Sequence, residues 1–277
     1  MCGICGLTWS DSDLIRKMGN KIKHRGPEQE GFYVDEHVSL CCERLKILDL
    51  RETAKQPQHN EDSTIWVVLN GEIYNFRELR QKLENTHTFY TNSDTEVILH
   101  AYEEYGENCL EHLNGMFAFA IWDKVDKSFF VARDPYGIKP LYIARTDKGF
   151  LIASQVKALL STGVISMDPC PYGQGGYWLL GSVPEPYTWF RDISSLSAGN
   201  FATISELGFF EQKWHSISDS WKNFEEPNRI PALNNKVKDL LHDSVRAHLV
   251  SDVPVGIFLS GGIDSTSILA IMKDLGV

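Results

Sequence analysis

The residues best suited to chemistry stand at the front of the chain, in Met1-Cys2-Gly3-Ile4-Cys5-Gly6. Removal of the initiator methionine would leave Cys2 with a thiol and a free α-amine on one residue, a nucleophile carrying its own base. An α-amine of pKa about 8 and a thiol of about 8.5 are matched closely enough for the amine, directly or through one water, to take the thiol proton near neutrality. Gly3 and Gly6 leave room for a substrate and neighbouring backbone to approach the sulfur. A small second residue is common, so Cys2 gains meaning only from partners elsewhere.

A second candidate lies near the other end. In Leu259-Ser260-Gly261-Gly262-Ile263-Asp264-Ser265 an apolar run turns into a helical one. Backbone N–H groups and the helix dipole converge at such a turn on a phosphate, and serine hydroxyls add bonds. The Gly-Lys-Ser/Thr ending of a Walker A loop is absent. Between the two ends, Arg44 closes an apolar run and carries a planar fork suited to an amino-acid carboxylate, although a lone arginine there is usually solvated or ion-paired. Asn70-Gly71 supplies a side-chain amide and a backbone N–H, the two donors of an oxyanion hole, and equally makes an ordinary turn. Asp94 stands at a helix start, where a carboxylate is favoured in any case.

Six cysteines, at 2, 5, 41, 42, 109 and 170, show no disulfide spacing. Cys2-x-x-Cys5 lacks a second well-spaced pair, so no metal site is assigned and Cys5, Cys41 and Cys42 read as small buried hydrophobes. With 277 residues, 43% hydrophobic and 23% charged, the chain is an ordinary globular one with room for two domains. Its net charge of -10 argues against a nucleic-acid or anionic-membrane surface. Without a spanning run or a leader pattern, a cytoplasmic location is expected.

The elements that must hold these residues follow from periodicity. Strands are predicted for Ile4–Trp9, Phe32–Val34, Val38–Cys42, Ile65–Leu69, Phe117–Trp122, Phe129–Ala132 and Phe150–Ala153. Helices are predicted for Asp11–Lys23, Asn75–Glu84 and Asp94–Tyr105, the last opened by a Ser93/Glu96 capping box. Residues 168–216 are rich in Gly, Pro and Ser, with Pro169, Pro171, Pro184 and Pro186 breaking any long element. An amphipathic helix follows over Pro231–Val250, with Leu233, Val237, Leu240, Leu241, Val245 and Leu249 as its stripe, then a strand over Val255–Leu259 and a helix over Asp264–Leu275. One strand and two helices cannot cover a sheet on both faces, so an incomplete second domain is expected.

Ser260-Gly261-Gly262-Ile263-Asp264-Ser265 resembles the signature loop of the ATP pyrophosphatases. Together with the Cys2 start, the chain resembles the glutamine-hydrolysing asparagine synthetases along nearly its whole length. Supporting stretches are His24-Arg25-Gly26-Pro27, followed by Glu28 where Asp is usual, Arg133-Asp134-Pro135-Tyr136-Gly137-Ile138-Lys139-Pro140, and a connector whose Leu196-Ser197-Ala198-Gly199 commonly reads Leu-Pro-Pro-Gly. The resemblance implies a glutaminase domain over 1–205, an N-terminal-nucleophile αββα sandwich, and the start of a parallel α/β synthetase domain over 206–277. It makes Cys2 the nucleophile, Asn70 and Gly71 the oxyanion donors, and Arg44, Leu45, Ile47, Leu48, Glu72 and Asp94 the glutamine site, with Asp94 on the α-ammonium. It assigns Leu259, Ser260, Gly261, Gly262, Asp264 and Ser265 to the pyrophosphate of ATP.

ATP and Mg²⁺ are then the cofactors of the synthetase half, and glutamine, aspartate and ATP its small-molecule partners, with a homodimer left open. Such a fragment is expected to hydrolyse glutamine without making asparagine. Read from the residues alone, Arg133 and Asp134 form a structural pair at a turn. An amidotransferase aminating a different carboxylate, and a non-catalytic partner-binding protein with the same fold, remain alternatives.

Overall fold

The computed structural model describes residues 1–205, 208–222 and 230–277. In chain order its strands are β1 (Gly3–Leu7), β2 (Gln29–Val34), β3 (Ser39–Arg44), β4 (Gln58–His59), β5 (Ile65–Ile73), β6 (Gly115–Asp123), β7 (Ser128–Arg133), β8 (Tyr142–Thr146), β9 (Gly149–Ala153), β10 (Ile193–Ser195), β11 (Asn200–Ser205) and β12 (Gly208–Lys213). Its helices are α1 (Ser12–Ile22), α2 (Phe76–Leu83), α3 (Asp94–Tyr105), α4 (Val156–Ser161), α5 (Pro171–Leu180), α6 (Ile217–Lys222), α7 (Ile230–His248) and α8 (Ile263–Asp274). The strands form two antiparallel sheets, ordered β10-β8-β9-β1-β3-β2 and β12-β11-β7-β6-β5-β4.

The two-residue period of a strand explains how these sheets stack. Ile4 lies opposite Cys42 and Cys5 opposite Cys41. Ile4, Leu40 and Cys42 join Val68, Ala118, Ala120, Val131 and Ala202 of the second sheet in one buried cluster between the sheets. Cys5, Leu7 and Cys41 face the other way and meet Ile15, Met18 and Ile22 of α1 and Leu159 of α4. On the far side α3 packs on β5 and α2 on α3, burying Val97, Ile98 and Leu99 with Phe76, Leu79 and Leu83. The layers therefore run helix, sheet, sheet, helix, and the adjacent cysteines split between the two apolar layers as small hydrophobes.

Several local expectations change. Asp11 is the N-cap of α1 rather than its first residue, accepting from Leu14 N at 2.9 Å. Ser93 caps α3 through Thr95 N, but the capping box is not closed: Ser93 N donates to Thr91 Oγ1 at 3.1 Å, and Glu96 accepts instead from Tyr90 N and Thr91 N. Pro171 does not break its segment. It sits at the N-terminal end of α5, where a missing N–H costs nothing, and Gly181 closes that helix with φ 74°. Arg133 and Asp134 do not pair with each other. Asp134 gathers the N–H groups of Tyr136, Ile138 and Lys139 at 2.9–3.0 Å, while Arg133 donates to Lys139 O, Gly137 O, Leu196 O and the Glu185 carboxylate.

The chain divides into Met1–Ile217 and Ser218–Val277. β12 pairs with β11 along its length and so belongs to the first unit. The expected division at 205/206 falls within that hairpin, beside residues 206 and 207, which lie outside the described residues. In the second unit α7 and α8 touch, and Leu233, Val237, Leu240 and Leu241 of the predicted stripe are exposed. Val255–Leu259 is not a strand: among the described residues nothing pairs with it, and an extended segment without a neighbour forms no ladder. No helix among the described residues is long and apolar enough to cross a membrane.

Candidate active site

Residues far apart in sequence meet at one cleft of the first unit. Its walls are Met1 and Cys2, Arg44, Leu45, Ile47 and Leu48, Asn70, Gly71 and Glu72, and Asp94, joined by Gln56, Leu69, Ser93, Thr95 and Lys139. Cys2 leads into β1, Arg44 ends β3, Asn70–Glu72 lie in the last part of β5, and Asp94 begins α3. Every residue predicted for the glutamine site thus lines the same space. Gln56, Leu69, Ser93, Thr95 and Lys139 were not foreseen, although Lys139 lies in a stretch read as architectural.

The walls are tied together by polar contacts. Lys46 N donates to Glu28 at 2.5 Å, so the acidic residue after His24-Arg25-Gly26-Pro27 holds the loop beyond Arg44. Asp49 has φ 49° and accepts from Asn92 N at 2.7 Å, linking that loop to the approach to α3. Hydrogen bonds from Arg51 hold the Asp49 carboxyl down to about 2. Gln56 joins β5 to α3, accepting from Leu69 N at 2.6 Å and donating to Thr95 Oγ1 at 3.1 Å. Arg44 is buried, with Nη1 on Gln29 and Nη2 on Leu48 O and Asp49 O at 2.7–2.9 Å. Three of the five guanidinium donors are thereby spent on fixing the fork in place.

Arg25 is the link the sequence did not reveal. Its Nε donates to Cys2 O at 2.9 Å and its Nη2 to Asn70 Oδ1 at 3.4 Å. The second contact turns the Asn70 amide so that Nδ2 is left over, buried and without a partner. A buried orphan donor is costly, and a ligand oxygen would relieve it. Gly26 permits this approach, since a Cβ there would stand 2.1 Å from Glu43 O. At Gly71 a Cβ would meet Met116 O at 2.4 Å, so β6 demands glycine beside the orphan amide.

The electrostatics suit a thiolate and a zwitterion. The Cys42 thiol, hydrogen-bonded to Cys2, together with Met1's terminal charge and Arg44, holds the Cys2 thiol down to about 7 against burial. Burial lowers the Lys139 ammonium, opposed by the charges of Glu72 and Cys2. Burial raises the Asp94 carboxyl to about 6, although Ile73 N donates to it at 2.9 Å. The cleft offers about 40 Å³, room for a few waters but not an amino acid, while Met1 still forms part of its wall.

Iodoacetamide is expected to modify Cys2 alone in the native chain at pH 8, with a rate that rises through about pH 7; peptide mapping reads the site. Cys5, Cys41, Cys42, Cys109 and Cys170 are buried, and burial pushes the Cys109 thiol up to about 12. Equal labelling of any of these five would contradict the assignment.

The phosphate-loop candidates lie in the second unit. Gly261 has φ 78°, Ser260 Oγ and Ser265 Oγ are 3.1 Å apart, and no side chain caps α8. Leu259 to Ser265 form an exposed or half-exposed turn with Asp264 in the first helical turn. Uncapped N–H groups, a left-handed glycine and two hydroxyls fit a phosphate.

The fold and the cleft define a glutamine amidotransferase: residues 1–215 match the glutamine amidotransferase domain family, and the chain belongs to it. Among solved structures, glutamine phosphoribosylpyrophosphate amidotransferase from B. subtilis, in complex with ADP and GMP, has the same fold, with a TM-score of 0.59 at 18% identity over 99% of this chain and 64% of that one. Residues 236–276 match the asparagine synthase family. The chain is 40% identical to asparagine synthetase [glutamine-hydrolyzing] 1 of Bacillus subtilis (strain 168) over 99% of its own length and 44% of that protein's. It is 34% identical to asparagine synthetase B [glutamine-hydrolyzing] of Escherichia coli (strain K12), again over 99% of its own length and 45% of the relative's. It thus spans less than half the length of these two relatives.

Proposed function

We propose that this chain hydrolyses glutamine to glutamate and ammonia, with Cys2 as nucleophile once Met1 has been removed. The observation that carries the reading is the buried, partnerless Asn70 Nδ2 in the cleft that also holds Cys2, Arg44 and Asp94. Arg44 takes the substrate α-carboxylate and Asp94 its α-ammonium, which presents the side-chain carboxamide to the sulfur. The freed Cys2 amine accepts the thiol proton, and the thiolate attacks the amide carbon. Charge grows on the carbonyl oxygen and is met by Asn70 Nδ2 and the Gly71 N–H. The amine returns its proton to the departing nitrogen, ammonia leaves, and a glutamyl thioester remains. Water, deprotonated by the same amine, attacks the thioester and releases glutamate. Leu45, Ile47 and Leu48 wall the methylene chain, and Glu72 lies beside the reacting amide.

The whole protein, on the same reading, delivers the ammonia to an aspartate activated by ATP. The resemblance to asparagine synthetases and the uncapped loop before α8 support it. Ser260, Gly261, Gly262 and Ser265 would hold the pyrophosphate end of ATP, and Mg²⁺ would neutralise phosphate charge when bound. The motifs assign no residue of this chain to aspartate or adenine. The test is to incubate the Met1-free chain with glutamine alone and assay glutamate: stoichiometric glutamate and ammonia support the proposal, and none overturns it.

Asp94 gives a second test. With its carboxyl at about 6, the group is charged above that pH and neutral below it. The KM for glutamine therefore rises as pH falls through about 6. D94N loses the ammonium contact and raises KM on the order of 10²-fold at pH 8. For stability the sign is opposite. A folded carboxyl pKa above the unfolded value makes the ionised group a liability that grows as pH rises from about 4 to 6. D94N is thus expected to melt no lower than wild type at pH 8; a large drop in Tm would show that Asp94 is a structural anchor instead.

A further inference from the structure

Outside the cleft, two histidines and two glutamates converge where α3 meets the loop before β5 and the loop after α2. One ligand atom from each of Glu61, His87, His100 and Glu103 lies within 4.8 Å of the other three. We propose that these four residues form a binding site for a divalent transition metal of the zinc class, independent of the glutamine reading.

The two rings are arranged alike. His100 Nδ1 is 2.7 Å from Glu103 Oε2, and His87 Nδ1 is 3.6 Å from the same oxygen. Each ring turns its Nε2 toward another carboxylate, His100 toward Glu96 at 3.9 Å and His87 toward Glu104 at 3.5 Å. Both Nε2 atoms are buried and lack a hydrogen bond, and the His100 side chain is fully buried. Each orphaned nitrogen faces a carboxylate, so a ring proton placed on it would satisfy both groups. A metal on the Nδ1 side resolves the arrangement: the His100 proton moves from Nδ1 to Nε2, and each N–H then faces a carboxylate, the support that metal-bound histidine ordinarily has.

The carboxylates are also held in place. Glu103 Oε1 accepts from Asn60 Nδ2 at 2.7 Å, which leaves Oε2 to the rings, and Glu61 Oε1 accepts from Thr88 N at 2.7 Å. Four ligands about 2.1 Å from zinc stand about 3.4 Å apart, close to the 3.6 Å already present between His87 and Glu103. The remaining closure falls to Glu61 and His87, which lie outside regular elements. Two imidazole nitrogens with two carboxylate oxygens favour zinc, and equally accept cobalt, over magnesium or calcium, which prefer all-oxygen cages. Bound there, the ion would pin the two loops to α3.

The test uses the full chain in a C2S background, so that the cleft thiol binds no metal, after dialysis against chelator. One equivalent of Co²⁺ is expected to give the intense visible absorption of four-coordinate cobalt, and one equivalent of Zn²⁺ to abolish it. Zn²⁺ is also expected to raise Tm, and EDTA to reverse the rise. H87Q removes a ligand and is expected to lose the colour. E104Q leaves all four ligands and alters only a half-exposed carboxylate behind His87; it should weaken cobalt at least roughly tenfold without lowering the metal-free Tm. No absorption at one equivalent, or absorption unchanged in both H87Q and E104Q, would overturn the proposal and leave a hydrogen-bonded network only.

Discussion

Replacement of Cys2 by alanine is expected to lower glutamine turnover by on the order of 10⁶-fold, the loss that follows when a covalent nucleophile is removed and only binding and oxyanion contacts remain. Alanine keeps the Cβ that packs against the core between the sheets, and Cys2 is itself only partly buried, so Tm should stay near that of wild type. Glutamine should still bind, because Arg44 and Asp94 are untouched and Arg44 is fixed by Gln29 and the Leu48 and Asp49 carbonyls. Steady-state assay together with binding of glutamine by calorimetry checks the split. Turnover within tenfold of wild type would remove the sulfur from the chemistry.

Asn70 carries the second large effect. N70A deletes the buried Nδ2 and is expected to reduce kcat by about 10²- to 10³-fold, equivalent to about 2.7–4 kcal/mol of barrier. KM should change little, since the charge that Nδ2 meets develops on the way to the tetrahedral state and not in the bound substrate. N70D should be worse than N70A. Its carboxylate keeps the Arg25 contact but sets a negative oxygen where the substrate oxygen becomes negative. If N70A instead raised KM at unchanged kcat, the amide would be a ground-state binding group.

The members of this cleft were legible only as a set. Taken singly, Cys2, Arg44, Asn70-Gly71 and Asp94 each have an ordinary reason to stand where they do, as a small second residue, a solvated strand-end arginine, a turn and a helix-start carboxylate, and it was the family resemblance of their stretches together that singled them out. Their meeting was not legible, because it depends on the register of β1 on β3 and of β5 on β6, which no local pattern fixes. Arg25 shows the same gap: its stretch stood out, but its grip on both Cys2 O and the Asn70 amide arises only in the folded chain. Short apolar runs between turn signals placed β1, β2, β3, β5, β6, β7 and β9, whereas β4, β8, β10, β11 and β12 are very short, lie at a sheet edge or interrupt their apolar residues with polar ones. Proline misled at α5, since Pro171 starts a helix as readily as proline ends one. The strand expected at Val255–Leu259 failed for the opposite reason, its sequence being right and no partner strand pairing with it among the described residues. Glu61, His87, His100 and Glu103 carry no motif at all beyond one i, i+3 pair.

The central claim is that the sulfur of Cys2, freed from Met1, attacks a glutamine held by Arg44 and Asp94. The diazoketone analogue of glutamine tests it directly, because its reactive carbon takes the place of the carboxamide and a thiolate displaces nitrogen gas to form a stable thioether. Intact mass and peptide mapping of the treated chain should show no Met1 and one adduct, on Cys2, whose formation glutamine slows and D94N weakens. An adduct on another residue, or glutamine hydrolysis that continues while Cys2 is fully blocked, would contradict the account.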